Sequence, residues 1–312
     1  MMFDFALARG DFDSATYHRD SFATDAMELT GMTMVVVARE QGEFAVLGEG
    51  EATVLWTPVG EGLRDLVSTV APDRIWFMGR DLDGAPRVAI TLSEEDLDQG
   101  GLVRLLPEGV RWMELMQFAP HLANHELSLL ATQTTALLAW HRATRFCIRC
   151  GGGLKVRSAG WTAQCGKCGH LEYPRTDPAI IAAVLDPDDR LLLVHNTNWS
   201  PLRMSLPAGY VDPGESAERT VVRELREEVA LEVFDLQYIG SQPWPRPRSL
   251  MLTYTAQTHM TEPTPDMQEI DRARFFSREE LREAVAKGAV VLPGPAAVAH
   301  TVINAWLEGG LG

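Results

Sequence analysis

The chain has 312 residues, 46% of them hydrophobic, and a formal net charge of -15. That length and apolar content allow two domains with real cores, while the negative charge excludes broad, sequence-blind binding to nucleic acid, which relies on a wide positive field. The longest apolar runs, 179–185 and 34–37, fall far short of the roughly 20 residues of a membrane-spanning helix, so no membrane partner is expected.

The N-terminus scatters Asp4, Arg9, Asp11 and Asp13 among apolar residues, without the charged-then-apolar order of a secretory leader, and a cytoplasmic location is expected. The first 120 or so residues read as short alternating strands over 32–37, 44–47, 52–56, 75–78 and 87–90, separated by turns at 41–42, 60–62 and 83–84. This half is expected to be a strand-rich α+β domain. A helix is predicted over 125–142 from the spacing of Leu127, Leu130, Ala131, Thr134, Leu137 and Leu138. Basic residues gather from 142 to 175 (Arg142, Arg145, Arg149, Lys155, Arg157, Lys167, Arg175), as a local nucleic-acid contact or as the solvated face of a small module. Two buried strands follow at 179–185 and 190–195, then a helix over 216–229, strands at 237–241 and 250–257, a helix start at Ser277 and a terminal helix over 296–307. That order predicts an α/β layer architecture for the second half.

All four cysteines fall in one 22-residue window as Cys147-x2-Cys150 and Cys165-x2-Cys168, the spacing of two knuckles closing on one tetrahedral zinc. Gly151, Gly166 and Gly169 follow three of the ligands, where tight loops need permissive backbone. Two disulfides are the competing account, which a reducing compartment disfavours. Four thiolates leave no open coordination position, so one structural Zn2+ is expected.

From Gly209 the chain runs Gly-Tyr-Val-Asp-Pro-Gly-Glu215, then seven residues, then Arg223-Glu-Leu-Arg-Glu-Glu-Val-Ala230. On a helix Glu224, Glu227 and Glu228 stand at i, i+3 and i+4 and share one face, while Ala217, Val221, Val222, Leu225 and Val229 form the other. Such an acidic face is either solvated or a seat for hard divalent cations and the phosphate oxygens that accompany them.

The whole pattern, G-x5-E-x7-R-E-L-x-E-E, resembles the Nudix box. A second stretch, Ser241-Gln-Pro-Trp-Pro-Arg-Pro-Arg-Ser249, resembles the S-Q-P-W-P-F-P-x-S signature of the NADH pyrophosphatases within that superfamily. On the residues alone this stretch is either a proline-stiffened substrate wall or a connecting loop. There are two departures: Ala230 replaces the glycine near the end of the box, and Arg246 replaces the phenylalanine of the signature. If a left-handed helix end is kept, alanine costs roughly 1 kcal/mol there.

The resemblance implies a Nudix-like α+β domain over 1–143, a zinc ribbon over 144–175 and a catalytic Nudix α/β/α sandwich over 176–312. It implies metal-dependent hydrolysis of the diphosphate of NADH and NAD+ to AMP and nicotinamide mononucleotide, removal of NAD caps from RNA 5′ ends, and a homodimer. Mg2+ or Mn2+ would be held by Glu224, Glu227, Glu228, Glu269 and the Ala208 carbonyl, with Arg223 orienting the carboxylates. Tyr173, Tyr210, Ser241, Gln242, Pro243, Trp244, Arg246 and Ser249 would bind substrate. The rival readings are a Nudix pyrophosphatase acting on ADP-ribose or dinucleoside polyphosphates, and a weakened-site sensor that binds NAD or nucleic acid.

Overall fold

The computed structural model describes residues 3–22, 33–47, 53–54, 65, 67, 69–98, 106–122 and 125–311. The chain divides into two compact units: an N-terminal unit of residues 9–175 with 245–248, and a C-terminal unit of residues 1–8, 176–244 and 249–312. One division falls after residue 175, at the expected start of the catalytic domain, and none falls at 143. The first residues join the C-terminal unit because Phe3 and Phe5 enter its core and the Phe3 N–H donates to the Ile239 carbonyl at 3.3 Å. The cysteine segment stays with the N-terminal unit, where Trp161 Nε1 donates to the Phe77 carbonyl at 2.7 Å.

The N-terminal unit holds a six-stranded sheet of β1 (Met34–Arg39), β2 (Glu43–Leu47), β3 (Thr53–Val54), β4 (Ile75–Arg80), β5 (Pro86–Leu92) and β6 (Arg111–Glu114). Its order is β3-β2-β1-β5-β4, with β6 also paired to β2. Of the expected strands, positions 32, 52 and 55–56 lie outside the described residues, as does the turn at 60–62. Strand β5 is buried at all seven residues and lies between β1, to which it runs parallel, and β4, to which it runs antiparallel. Helix α1 (His125–Ala143) lies against this sheet and is buried around most of its surface. It tolerates Thr132, Thr134 and Thr135 in that setting because each hydroxyl donates to the carbonyl four residues back, at 2.7 to 2.8 Å. The cysteine segment adds a three-stranded antiparallel sheet of β7 (Leu154–Arg157), β8 (Thr162–Cys165) and β9 (Leu171–Glu172).

The C-terminal unit is built on β10 (Asp177–Leu185), β11 (Leu191–Asn196), β12 (Ala208–Tyr210), β13 (Phe234–Trp244), β14 (Ser249–Gln257) and β15 (Ile270–Phe276), ordered β13-β14-β10-β11-β15 with β12 on β10. Side chains alternate across a strand, and β10 uses both faces. Ile180, Ala182 and Val184 pack with Val221, Leu225 and Val229 of helix α2 (Ala217–Val229). Ile181 and Ala183 pack instead with Leu281 of α3 (Arg278–Ala286) and with Val302, Ile303 and Trp306 of α4 (Val298–Leu307). Helices thus cover the sheet on both faces, giving the expected α/β/α sandwich.

Helix α2 ends on Ala230, which takes the left-handed conformation (φ 55°, ψ 32°). The Ala230 N–H donates to the Arg226 carbonyl and the Leu231 N–H to that of Leu225 (3.1 and 3.0 Å), and Leu231 is fully buried. The alanine therefore keeps the glycine geometry. Ala230→Gly should raise stability by about 1 kcal/mol in urea denaturation; no gain would mean that the fold does not feel the strained φ.

Candidate active site and metal centre

Ser216 starts α2, its hydroxyl accepting from the Arg219 N–H at 3.3 Å. Glu228 lies seven residues after Val221 and three after Leu225, which puts it toward the buried stripe, and it is only 6% exposed. The expected split into an apolar and a charged face therefore fails at this residue, whereas the Glu227 side chain stands 63% exposed. Glu228 Oε2 is buried with no hydrogen-bond partner among the described residues. Burial, joined by the negative charges of Glu224, Glu269 and Asp266, pushes the Glu228 carboxyl up to about 8. Burial also raises Glu224.

Backbone contacts bring the other carboxylates in. The Thr264 and Asp266 amides donate to the carbonyls of Val229 and Glu228 at 2.9 and 3.0 Å, fastening the loop that carries Glu269 to the helix end. Asp266, absent from the expected set, braces that loop. Burial works to raise its carboxyl, but the amides of Ile270, Glu269 and Gln268 hold it below the usual range. Strand β12 passes directly over Glu224, so closely that a Cβ at Gly209 would collide with the carboxyl group. Ala208, its neighbour, pairs with Ile181 in the sheet.

Arg223 ties these parts together. Its Nε donates to both Glu215 oxygens at 3.1 and 3.2 Å, Nη1 to Glu224 at 2.9 Å and to Glu227 at 3.2 Å, and Nη2 to the Tyr210 carbonyl at 3.0 Å. Glu215 also accepts from Thr220 Oγ1 at 2.8 Å, and its carboxyl is held down to about 2, mainly by Arg223. Glu215 was not among the expected site residues, although its place as the fixed glutamate of the G-x5-E pattern is the signal that marks it.

The proline-rich stretch forms a hairpin: Ser241 to Trp244 pair with Leu252 to Ser249, and residues 245–248 make the turn. The Tyr210 hydroxyl lies 3.2 Å from Ser249 Oγ. Gln242 is fully buried, accepting from the Leu7 N–H and donating to the Ala296 carbonyl, both at 3.0 Å, so its amide is occupied within the fold. Ser241, Pro243 and Trp244 are half-buried on the edge strand, where a proline is tolerated. Arg246 and Tyr173 belong to the N-terminal unit, where Arg246 pairs with Glu114 at 2.6 Å and Tyr173 is exposed.

The four cysteine sulfurs lie within 4.8 Å of one another, with 3.7 Å between Cys147 and Cys168 and 3.5 Å between Cys150 and Cys165. A tetrahedral zinc with bonds of about 2.3 Å sets its sulfurs about 3.8 Å apart, so the set fits that ion, and the cysteines are free thiols. Gly151 and Gly169 take positive φ (67° and 73°) as each knuckle turns, whereas Gly166 does not. The amides of Cys168 and Lys167 approach Cys165 Sγ and hold its thiol down to about 6.

Two outcomes are expected. Metal analysis should find one zinc per chain, and Cys165→Ser should lose it together with resistance of segment 147–168 to proteolysis; zinc retained in full would remove this assignment. A Glu228 carboxyl raised by folding from 4.5 to about 8 contributes stability fully below pH 4.5 and loses it as pH rises through about 8. In protein stripped of weakly held divalent cations, denaturation free energy should fall across that window, and Glu228→Gln should flatten the fall. An unchanged slope in the variant would assign the proton elsewhere.

A NUDIX domain model matches residues 175–293, and a model for the NADH pyrophosphatase zinc ribbon domain matches residues 142–173. The NAD-capped RNA hydrolase NudC of Mycobacterium bovis (strain BCG / Pasteur 1173P2) is 40% identical over 191 residues, 57% of this chain and 60% of that protein. The NAD-capped RNA hydrolase NUDT12 of Homo sapiens is 36% identical over 191 residues, 57% of this chain and 41% of its own length. The match thus spans less than two thirds of either relative. The chain carries a Nudix domain preceded by an NADH pyrophosphatase zinc ribbon domain.

Proposed function

We propose that this chain hydrolyses the diphosphate of NADH and NAD+ to AMP and nicotinamide mononucleotide, and removes NAD caps from RNA 5′ ends. The observation that carries this reading is Glu228, a carboxyl buried beside Glu224 and near Glu269 with one oxygen left unpartnered. A group so placed calls for a cation, and the donors around it are hard oxygens: Glu224, Glu227, Glu228, Glu269 and the Ala208 carbonyl. Mg2+ or Mn2+ bound there would polarise the diphosphate and acidify a bound water.

The chain's own residues do the rest. Arg223 holds Glu215, Glu224 and Glu227 in fixed register. A glutamate of the cluster accepts the proton of the attacking water as its oxygen bonds to phosphorus and the bridging P–O bond breaks. Tyr210 and Ser249, with Ser241, Pro243, Trp244 and Tyr173, orient the dinucleotide, and Arg246 adjusts which one is preferred. The names of the relatives support the substrate class. Four thiols kept as metal ligands support a reducing, cytoplasmic setting. Large exposed side chains on the ribbon, Phe146 and Ile148, support a homodimer that covers them.

Turnover of NADH, NAD+, ADP-ribose and NAD-capped RNA, each with Mg2+ and with Mn2+, tests the reading. NADH should yield AMP and nicotinamide mononucleotide faster than ADP-ribose yields AMP, and Glu228→Gln should lower turnover about a hundredfold or more. Faster ADP-ribose hydrolysis, or a near-normal Glu228→Gln enzyme, would overturn it.

A further inference from the structure

A cleft of about 640 Å3 opens in the N-terminal unit among α1, the turn at Gln41 and Gly42, and the turn 245–248. That volume lies within the roughly 300–1,000 Å3 of small-ligand sites. The floor is apolar, from Leu115, Leu138 and Pro245, and the rim carries Arg142, Arg145 and Arg246. Among the described residues no carboxylate lines it, a local reversal in a chain of net charge -15. Two of the guanidinium groups are held: Arg142 Nη1 donates to the Gln41 carbonyl at 2.9 Å, and Arg246 pairs with Glu114. The third, on Arg145, has no side-chain partner among the described residues, although its backbone is fixed where the Leu154 N–H donates to the Arg145 carbonyl at 3.1 Å. Further along the chain the ribbon carries Arg149, Lys155, Arg157 and Lys167, all exposed. Arg246 stands three residues before Ser249 in the chain, at the position where the resembled signature has phenylalanine.

We infer that this arginine-rimmed cleft is a phosphate subsite for the single-stranded RNA that follows an NAD cap, with the exposed basic side chains of the ribbon continuing its path. Fixed guanidinium groups over an apolar floor suit a nucleotide unit, its phosphate on the rim and its base and ribose below. A free dinucleotide has no phosphodiester strand to place there, so the cleft separates capped RNA from NADH without altering the reacting bond. The inference rests on the proposal that the chain acts on NAD-capped RNA.

The test measures binding apart from catalysis. A short single-stranded RNA with a 5′-hydroxyl end is titrated onto wild-type protein, Arg145→Glu, and Lys287→Glu, which makes the same charge change just after α3. Zinc content and melting temperature serve as folding checks. Arg145→Glu should weaken binding and shallow the slope of log affinity against log salt by about 0.7 or more, while Lys287→Glu should not. In turnover, Arg145→Glu should raise KM for NAD-capped RNA and leave NADH kinetics unchanged. Equal effects of the two charge reversals, RNA binding unaffected by Arg145→Glu, or weakened binding of AMP with unchanged binding of RNA would each overturn the inference. An Arg145-dependent RNA affinity in a protein that hydrolyses no NADH would uphold the cleft and sink the proposed hydrolysis instead.

Discussion

A carboxyl group held out of water beside others of its kind constrains everything around it. Glu228 faces Glu224, Glu269 and Asp266 in a setting where burial already favours its neutral form. Arg223 relieves it in part through its charge but gives it no hydrogen bond, because its donors are committed to Glu215, Glu224, Glu227 and the Tyr210 carbonyl. The result is an outer layer of three carboxylates held still by one shared guanidinium, and an inner carboxyl with one oxygen left without a hydrogen-bond partner among the described residues. Removing the inner group relieves repulsion, whereas removing Arg223 would leave the outer layer uncompensated, so the two act on the site in opposite senses.

Holding such a group in place needs a frame that does not yield. Strand β10 supplies it by packing a helix layer on each face through alternate residues, so α2 cannot shift without opening the core. The end of α2 is closed twice, by the left-handed turn at Ala230 and by the amides of Thr264 and Asp266. The second closure is the one that matters for chemistry, since it sets the distance from the helix to Glu269. Gly209 matters for the same reason on the other flank, because a side chain there would displace the Glu224 carboxyl group from its place against β12.

The proline-rich hairpin divides its labour. Gln242 ties the first residues of the chain and the approach to the last helix to the sheet, while Ser249 reaches the Tyr210 hydroxyl beside the carboxylates. One short motif therefore combines a structural anchor with exposed positions, and its turn carries the arginine that sets this chain apart from the resembled signature. The ribbon contributes through geometry of another kind: four sulfurs on two tight turns that a single ion draws into a rigid module.

Much of this was legible in the amino-acid sequence. Paired Cys-x2-Cys spacings declare a metal knuckle because the ligands sit close along the chain, and strand alternation with helical apolar spacing declares the layers because both follow from backbone periodicity. The box carboxylates were legible as a group, but their division was not: spacing from Glu224 put Glu228 on the charged face, while spacing from Val221 and Leu225 puts it on the buried one. Periodicity cannot rank those two relations, since burial depends on what packs against the helix. Gln242's commitment to Leu7 and Ala296, the bracing of Glu269 by Asp266, and the gathering of Arg142, Arg145 and Arg246 around one cleft depend on how the chain folds back on itself. Local pattern carries no record of such pairs, and only the tertiary structure decided them.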